Sequence, residues 1–311
     1  MKKIVMFLAT AIFSVSVASA QDLTATAEVF NSGILALELG NKAEAVAHFQ
    51  QAWTEAEALG EKGIELVEQC KSIVPQVMLS IAKDDLREKK YDEAVEMLEK
   101  AKETAEKAEN AEKAAEANAL INQALMQKAN AFLNEKNFES AIVVYEQLMA
   151  IDSTNANAAL RLGQSYNSLG NSEAAEAAFL IAAANGQEKQ ANKQLSTMYV
   201  KKAQSALKEK NYQAAADFAV KSNEYLENGN AYKLAGQAKI LLGQKAEALP
   251  FLEKYLELSP NAKDASQMKY NIAATAKELG DKEKAKAYFE QVLTDPKLGA
   301  SAKQLLDALN K

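Results

Sequence analysis

Apolar side chains recur along this chain at the spacing of one helical face. Ala175, Phe179 and Ala182 stand at i, i+4 and i+7, and the same triplet returns as Ala45, Phe49 and Ala52 and as Ala285, Phe289 and Val292. At 3.6 residues per turn such positions form one stripe, so the pattern predicts amphipathic helices. Small residues suit a close crossing of two helices, and the large ring fills the gap beside it.

Two polar phrases interrupt these helical patterns at intervals. The first is Leu39-Gly40-Asn41-Lys42-Ala43-Glu44-Ala45, echoed from Leu169, from Leu242 and from Leu279. The second runs from Leu86 through Lys89, Lys90 and Tyr91 to Ala94, echoed by Leu133 to Phe138 with Ala141 and by Leu207 to Tyr212 with Ala215. Glycine can end a helix at positive φ, and the Asn, Asp or Ser that follows can cap the next. Each phrase therefore predicts the turn of a helix hairpin. Seven repeats emerge, closed by Ala45, Ala94, Ala141, Ala175, Ala215, Ala248 and Ala285 at spacings of 49, 47, 34, 40, 33 and 37 residues.

The fourth repeat, with Leu162-Gly163, Tyr166, Ala175, Phe179 and Ala182, resembles a tetratricopeptide repeat, whose signature is L-G-x2-Y followed by A-x3-F. The sixth adds Gly236, Gly243, Ala248 and Pro260 in register. The resemblance implies an all-α fold, a right-handed α-solenoid of about seven helix hairpins closed by a capping helix. In that alignment the repeats begin near Thr26, Pro75, Asn122, Ala156, Ser196, Gly229 and Ser266. The expected organisation is a leader at 1–20, elongated hairpins at 21–121, a regular array at 122–297 and a capping helix at 298–311. Leu298, Ala302, Leu305, Leu306 and Leu309 supply the apolar face of that cap. The Glu-, Lys- and Ala-rich stretch from Glu99 to Ala117 reads as a solvated helical extension, with Glu103/Lys107 and Glu109/Lys113 at pairing distance.

The leader alters the picture of where the chain works. Lys2 and Lys3 precede an apolar run from Ile4 to Val17, and Ala18-Ser19-Ala20 forms an A-x-A cleavage site. That run is too short to span a bilayer, and no later stretch is apolar for the required length. The expectation is an exported product beginning at Gln21, periplasmic, envelope-associated or secreted. Removing Lys2 and Lys3 leaves 34 basic residues against 42 acidic ones, a net charge of −8. Such a chain is a poor partner for nucleic acid, which is held by clustered cations.

Chemistry is sparse. There is one cysteine, Cys70, on a stripe with Leu66, Ile73 and Val74, which predicts burial; an intermolecular disulfide is the alternative. There is one histidine, His48, expected at an exposed position. No catalytic residue, metal ligand or cofactor site is expected, because phosphate loops, nucleophile elbows and paired ligands are missing. Asp152-Ser153-Thr154 resembles an acceptor for O-glycosylation, but helix termination, with Ser153 or Thr154 capping the next helix, is the stronger reading.

Tetratricopeptide arrays bind ligands chiefly on the concave face formed by the first helix of each repeat. The resemblance therefore projects Asn130, Asn157, Arg161, Gln164 and Asn167 onto a protein-binding groove, followed by Lys201, Gln204, Lys208, Lys233 and Gln237. Lys83, Arg87, Gln127 and Asn230 extend the same projection. Side-chain amides both donate and accept, which suits a peptide backbone, and the cations suit carboxylates. Six cations and no carboxylate fall in this projected set, a positive groove on an acidic body. The expected partner is a protein or peptide, acidic or presenting a C-terminal carboxylate; a homo-oligomer stays open. The alternative function is envelope glycan binding, for which Tyr270 is the clearest aromatic platform, and a cryptic hydrolase ranks last.

Overall fold

The structure is a computed structural model that describes residues 20–309. The expected leader lies outside the described residues except for Ala20, which opens the first helix. Among the described residues the chain is all-α, with no strand. Packing divides it into two compact units, one ending at Ser153 and the other beginning at Thr154.

The N-terminal unit contains α1 (Ala20–Glu38), α2 (Lys42–Ala58), α3 (Ile64–Arg87), α4 (Tyr91–Lys107), α5 (Ala111–Asn134) and α6 (Phe138–Ile151). The C-terminal unit contains α7 (Ala156–Ser168), α8 (Ser172–Ala182), α9 (Glu188–Lys208), α10 (Tyr212–Tyr225) and α11 (Gly229–Leu241). It continues through α12 (Lys245–Leu258), α13 (Ala265–Glu278), α14 (Lys282–Glu290) and α15 (Gly299–Leu309). Within each unit successive helices pack as hairpins.

The turn phrases do what their chemistry dictates. Gly40, Gly170, Gly243 and Gly280 adopt φ of 85°, 81°, 79° and 82°, the left-handed region where a helix ends without Cβ strain. In the second phrase a lysine takes that conformation, Lys89 at 62° and Lys136 and Lys210 at 61°. The Asn171 side chain then accepts from the Ala174 backbone N–H at 3.2 Å, and Asp281 accepts from Lys284 N–H at 3.0 Å. Before α7 the cap is Asn155, which accepts from Ala158 N–H at 3.0 Å, so neither Ser153 nor Thr154 fills that role.

The core follows the predicted triplets. Ala45, Phe49, Ala52, Ala175, Phe179, Ala182, Ala285, Phe289 and Val292 are all buried. A methyl group on Gly163 would lie 2.6 Å from the Phe179 ring, and one on Gly33 would lie 2.6 Å from Phe49. Glycine on the first helix thus lets the aromatic ring of the second press against its backbone. The apolar face of α15 closes the last hairpin, with Ala302 and Leu309 buried beside Phe289 and Ile272.

Three expectations change. First helices start earlier than the repeat register implied: α3 at Ile64 rather than near Pro75, α5 at Ala111 rather than near Asn122, and α9 at Glu188 rather than near Ser196. Pro75 sits inside α3. The Glu99–Ala117 stretch is no continuous extension either. It breaks at Glu109, φ 54°, and buries Ala101, Ala105 and Ala117. Neither anticipated pair forms: Lys107, in the same helix as Glu103, turns instead to Glu57 at 3.6 Å and the Trp53 ring at 4.8 Å, and Lys113, across the turn from Glu109, pairs with Glu116 at 2.7 Å.

Candidate protein-binding groove

In the C-terminal unit the first helices α7, α9 and α11 lie side by side, and they approach one another more closely than the second helices α8, α10 and α12 do. Their free surface is therefore the inner face of these three hairpins. An anchor behind this face fixes α9. Glu176 of α8 accepts from Tyr199 of α9 at 2.6 Å, from Lys221 of α10 at 2.7 Å and from Tyr225 of α10 at 3.1 Å. Burial alone would raise the Glu176 pKa, but these three donors outweigh it and hold it below the usual carboxylate value. Lys202 turns to this rear side, 4.7 Å from the Phe218 ring and 5.2 Å from Tyr199.

On the inner face, Arg161, Lys201, Gln204 and Lys208 are exposed, and Gln164 and Asn167 are half-buried. Arg161 donates from Nη1 to Gln164 Oε1 at 3.1 Å, a neutral partner that leaves its charge uncompensated. Lys201 and Lys208 have no carboxylate within 4.0 Å among the described residues. Asn157 is less available, because its Oδ1 accepts from Gln187 Nε2 at 2.8 Å. On α11 Gln237 is half-buried and Asn230 exposed.

Lys233 differs from the other projected cations of this unit. Its Nζ lies 3.0 Å from Asp264 Oδ2 and 5.2 Å from the Tyr255 ring. Burial would raise the Asp264 pKa, yet the hydrogen bonds from Tyr255 and Lys233 keep it below its ordinary value. The same neighbourhood pushes the Tyr255 hydroxyl up to about 12, through burial first and Asp264 second.

In the N-terminal unit the remaining projected residues are largely engaged. Lys83 pairs with Glu116 at 2.7 Å, and Arg87 pairs with Asp84, which also holds Lys42. Asn130 Oδ1 accepts from the Tyr145 hydroxyl at 2.7 Å. Asn130 and Gln127 line an open cleft of about 770 Å³ together with Lys89, Lys90 and Lys128, of which Lys128 is paired with Asp92 and Lys90 with Glu88. Of the six projected cations, then, Lys83, Arg87 and Lys233 are neutralised from within, while Arg161, Lys201 and Lys208 are not. Sequence spacing placed the cations but missed Glu116 and Asp264, which arrive from the start of the following hairpin.

Groups with chemical potential elsewhere are occupied by packing. Cys70 is fully buried, and desolvation pushes its thiol up to about 12. His48 Nε2 lies 4.0 Å from Glu44. Tyr270 packs against Phe289 with centroids 5.6 Å apart and the rings nearly perpendicular, half-buried against the core of the last hairpins.

Family models described as tetratricopeptide repeat match residues 132–195, 200–263 and 266–294. The chain belongs to the tetratricopeptide repeat family and has the architecture of a protein-interaction scaffold. No curated protein matches it. Among solved structures, MamA protein shares 18% identity over 58% of this chain and 94% of its own, at a TM-score of 0.37. YrrB, described as a tetratricopeptide repeat protein with an unusual peptide-binding site, shares 20% over 58% and 91%, at 0.35. A tetratricopeptide repeat protein from Parabacteroides merdae ATCC 43184 shares 14% over 93% and 100%, at 0.29. No helix among the described residues is long and apolar enough to cross a membrane.

Proposed function

We propose that this chain is an exported adaptor whose inner face at α7, α9 and α11 binds a peptide segment of another envelope or secreted protein. The observation that carries the reading is the set Arg161, Lys201 and Lys208, uncompensated cations on adjacent helices, interleaved with the amides of Gln164, Asn167 and Gln204. Amides serve a peptide backbone and the cations serve carboxylates, while the anchored second helices hold both in place. The leader at residues 1–20 supports export, and Gln21 is the expected first residue of the envelope form.

The test is crosslinking in living cells with tagged chain, followed by capture from envelope fractions. A partner held by the parent and lost by the folded triple variant Arg161→Ala, Asn167→Ala, Lys201→Ala is the expected result. If no protein is enriched, or the same partner persists on the variant, the groove assignment fails.

A further inference from the structure

The uncompensated cations of the inner face do not stop where the projected groove does. Helix α9 has 21 residues against 13 for both α7 and α11, and its extra length lies at the N-terminal end, past the turn at Asn185 and Gly186. That end brings in Lys189 and Lys193, both exposed. At about 100° per residue, Lys189, Lys193, Lys201 and Lys208 fall with Thr197 and Gln204 inside an arc of about 120°. They form one stripe about 28 Å long at a rise of 1.5 Å per residue.

Two facts separate this stripe from ordinary surface charge. First, none of its four lysines has a carboxylate within 4.0 Å among the described residues, whereas the lysines of the helices packed beside α9 do: Lys233 pairs with Asp264, Lys239 with Glu247 and Lys221 with Glu176. Second, neither α7 nor α11 carries any carboxylate, and Glu188 at the very start of α9 is the single one on the three helices. Interspersed charge is the usual condition of a soluble surface, and a chain with 42 acidic residues has ample means to meet it. On the stripe it does not.

We infer that the α9 stripe is a docking track for an acidic polypeptide segment, its carboxylates laid along Lys189, Lys193, Lys201 and Lys208. The inference rests on the groove reading and narrows it, naming both the helix and the chemistry of the partner. Charge complementarity selects the occupant. Successive lysines are spaced by roughly one or two helical turns, so one acidic edge meets all four, and the amide of Gln204, on the same stripe, accepts a backbone N–H of the segment. The first helices of the N-terminal unit, where carboxylates outnumber cations, disfavour such a segment.

Fluorescence anisotropy with a labelled peptide alternating glutamate and alanine, beside its glutamine–alanine counterpart, tests this. The glutamate peptide binds the intact chain at low salt and weakens as salt rises, and the glutamine peptide does not bind. Lys189→Gln with Lys193→Gln, which leaves Arg161, Asn167 and Lys201 intact, weakens binding about threefold or more. Adding Lys201→Gln and Lys208→Gln brings the loss beyond about tenfold, with an unchanged melting temperature because no ion pair is broken. Equal binding by the fourfold variant overturns the track. So does binding to phosphatidylglycerol vesicles in place of the peptide, or lysine-dependent self-association in sedimentation without peptide binding. Unchanged affinity of the glutamate peptide for the Lys189/Lys193 variant, beside a crosslinked partner that the Arg161/Asn167/Lys201 variant loses, overturns the track and leaves the groove standing. Absence of any captured partner removes the groove reading itself.

Discussion

The first helices of the two units carry opposite charge on the same scaffold. In the N-terminal unit α1, α3 and α5 hold five cations against nine carboxylates. In the C-terminal unit α7, α9, α11 and α13 hold ten cations against two. The hairpin interior does not share this difference: Gly33 meets Phe49 in one unit as Gly163 meets Phe179 in the other. The repeat therefore fixes backbone and core and leaves the first-helix surface free to vary, so function has to be read from that surface.

The comparison breaks most visibly at the core, where the two units should respond alike. Phe49 and Phe179 are both fully buried. Phe49→Ala and Phe179→Ala should each reduce unfolding free energy by about 3–5 kcal/mol, the transfer loss plus the cavity left under the crossing helix. Denaturant unfolding measures both. A cost confined to one unit would show that the shared triplet is packed differently in the two.

Charge should separate the units, by a smaller amount. Glu116 bridges Lys83 and Lys113, each at 2.7 Å, so Glu116→Gln strands two lysines and should cost about 1 kcal/mol or less, given their partial exposure. Lys201→Gln, with no partner to strand, should leave the melting temperature where it is. The pH dependence has a definite sign. The hydrogen bonds of Lys113 and Lys83 lower the Glu116 pKa below 4.5, and Lys42, then Arg87, lowers that of Asp84 below 3.8. Carboxylates shifted down in the folded state contribute stability above their unfolded pKa and lose it as pH falls through the folded one. Melting temperature should thus drop below about pH 4.5, and Glu116→Gln should flatten part of that slope.

Much of this was legible in the sequence because repeat chemistry is local. Gly170-Asn171 followed by Ala175 and Phe179 encodes a turn, a cap and a core stripe within ten residues, and all three form as read. The extra length of α3, α5 and α9 was less legible, since Pro75 imitates a helix start and alanine-rich sequence between Glu99 and Ala117 shows no contrast between faces. The compensation of Lys83 and Lys233 was invisible for a different reason. Their partners Glu116 and Asp264 lie 33 and 31 residues away in the chain, and only packing brings them within reach. Lys189 and Lys193 escaped notice because the repeat register ends before them, although their four-residue spacing was there to be read.

The smallest effect concerns the hairpin turns, where the units again diverge. The N-terminal unit places Lys89, Glu109 and Lys136 in the left-handed region beside Gly40 and Gly60, whereas the C-terminal unit places Gly170, Gly186, Gly243 and Gly280 there and, among the described non-glycine residues, Lys210 alone. A side chain at positive φ costs about 1–2 kcal/mol through contact of Cβ with the following carbonyl, and glycine removes it at an entropic cost of about 0.5–1 kcal/mol in the unfolded chain. The balance favours glycine by about 0.5 kcal/mol at each site. Lys89→Gly and Lys136→Gly should therefore raise stability slightly and additively, while Gly170→Lys should lower it by a similar amount. Turn contacts do not oppose the exchange, since Lys90 N–H to Asp85 O at 2.9 Å matches Asn171 N–H to Tyr166 O at 3.0 Å. A loss on Lys89→Gly in thermal unfolding would mean that the lysine side chain contributes more to its turn than its backbone conformation costs.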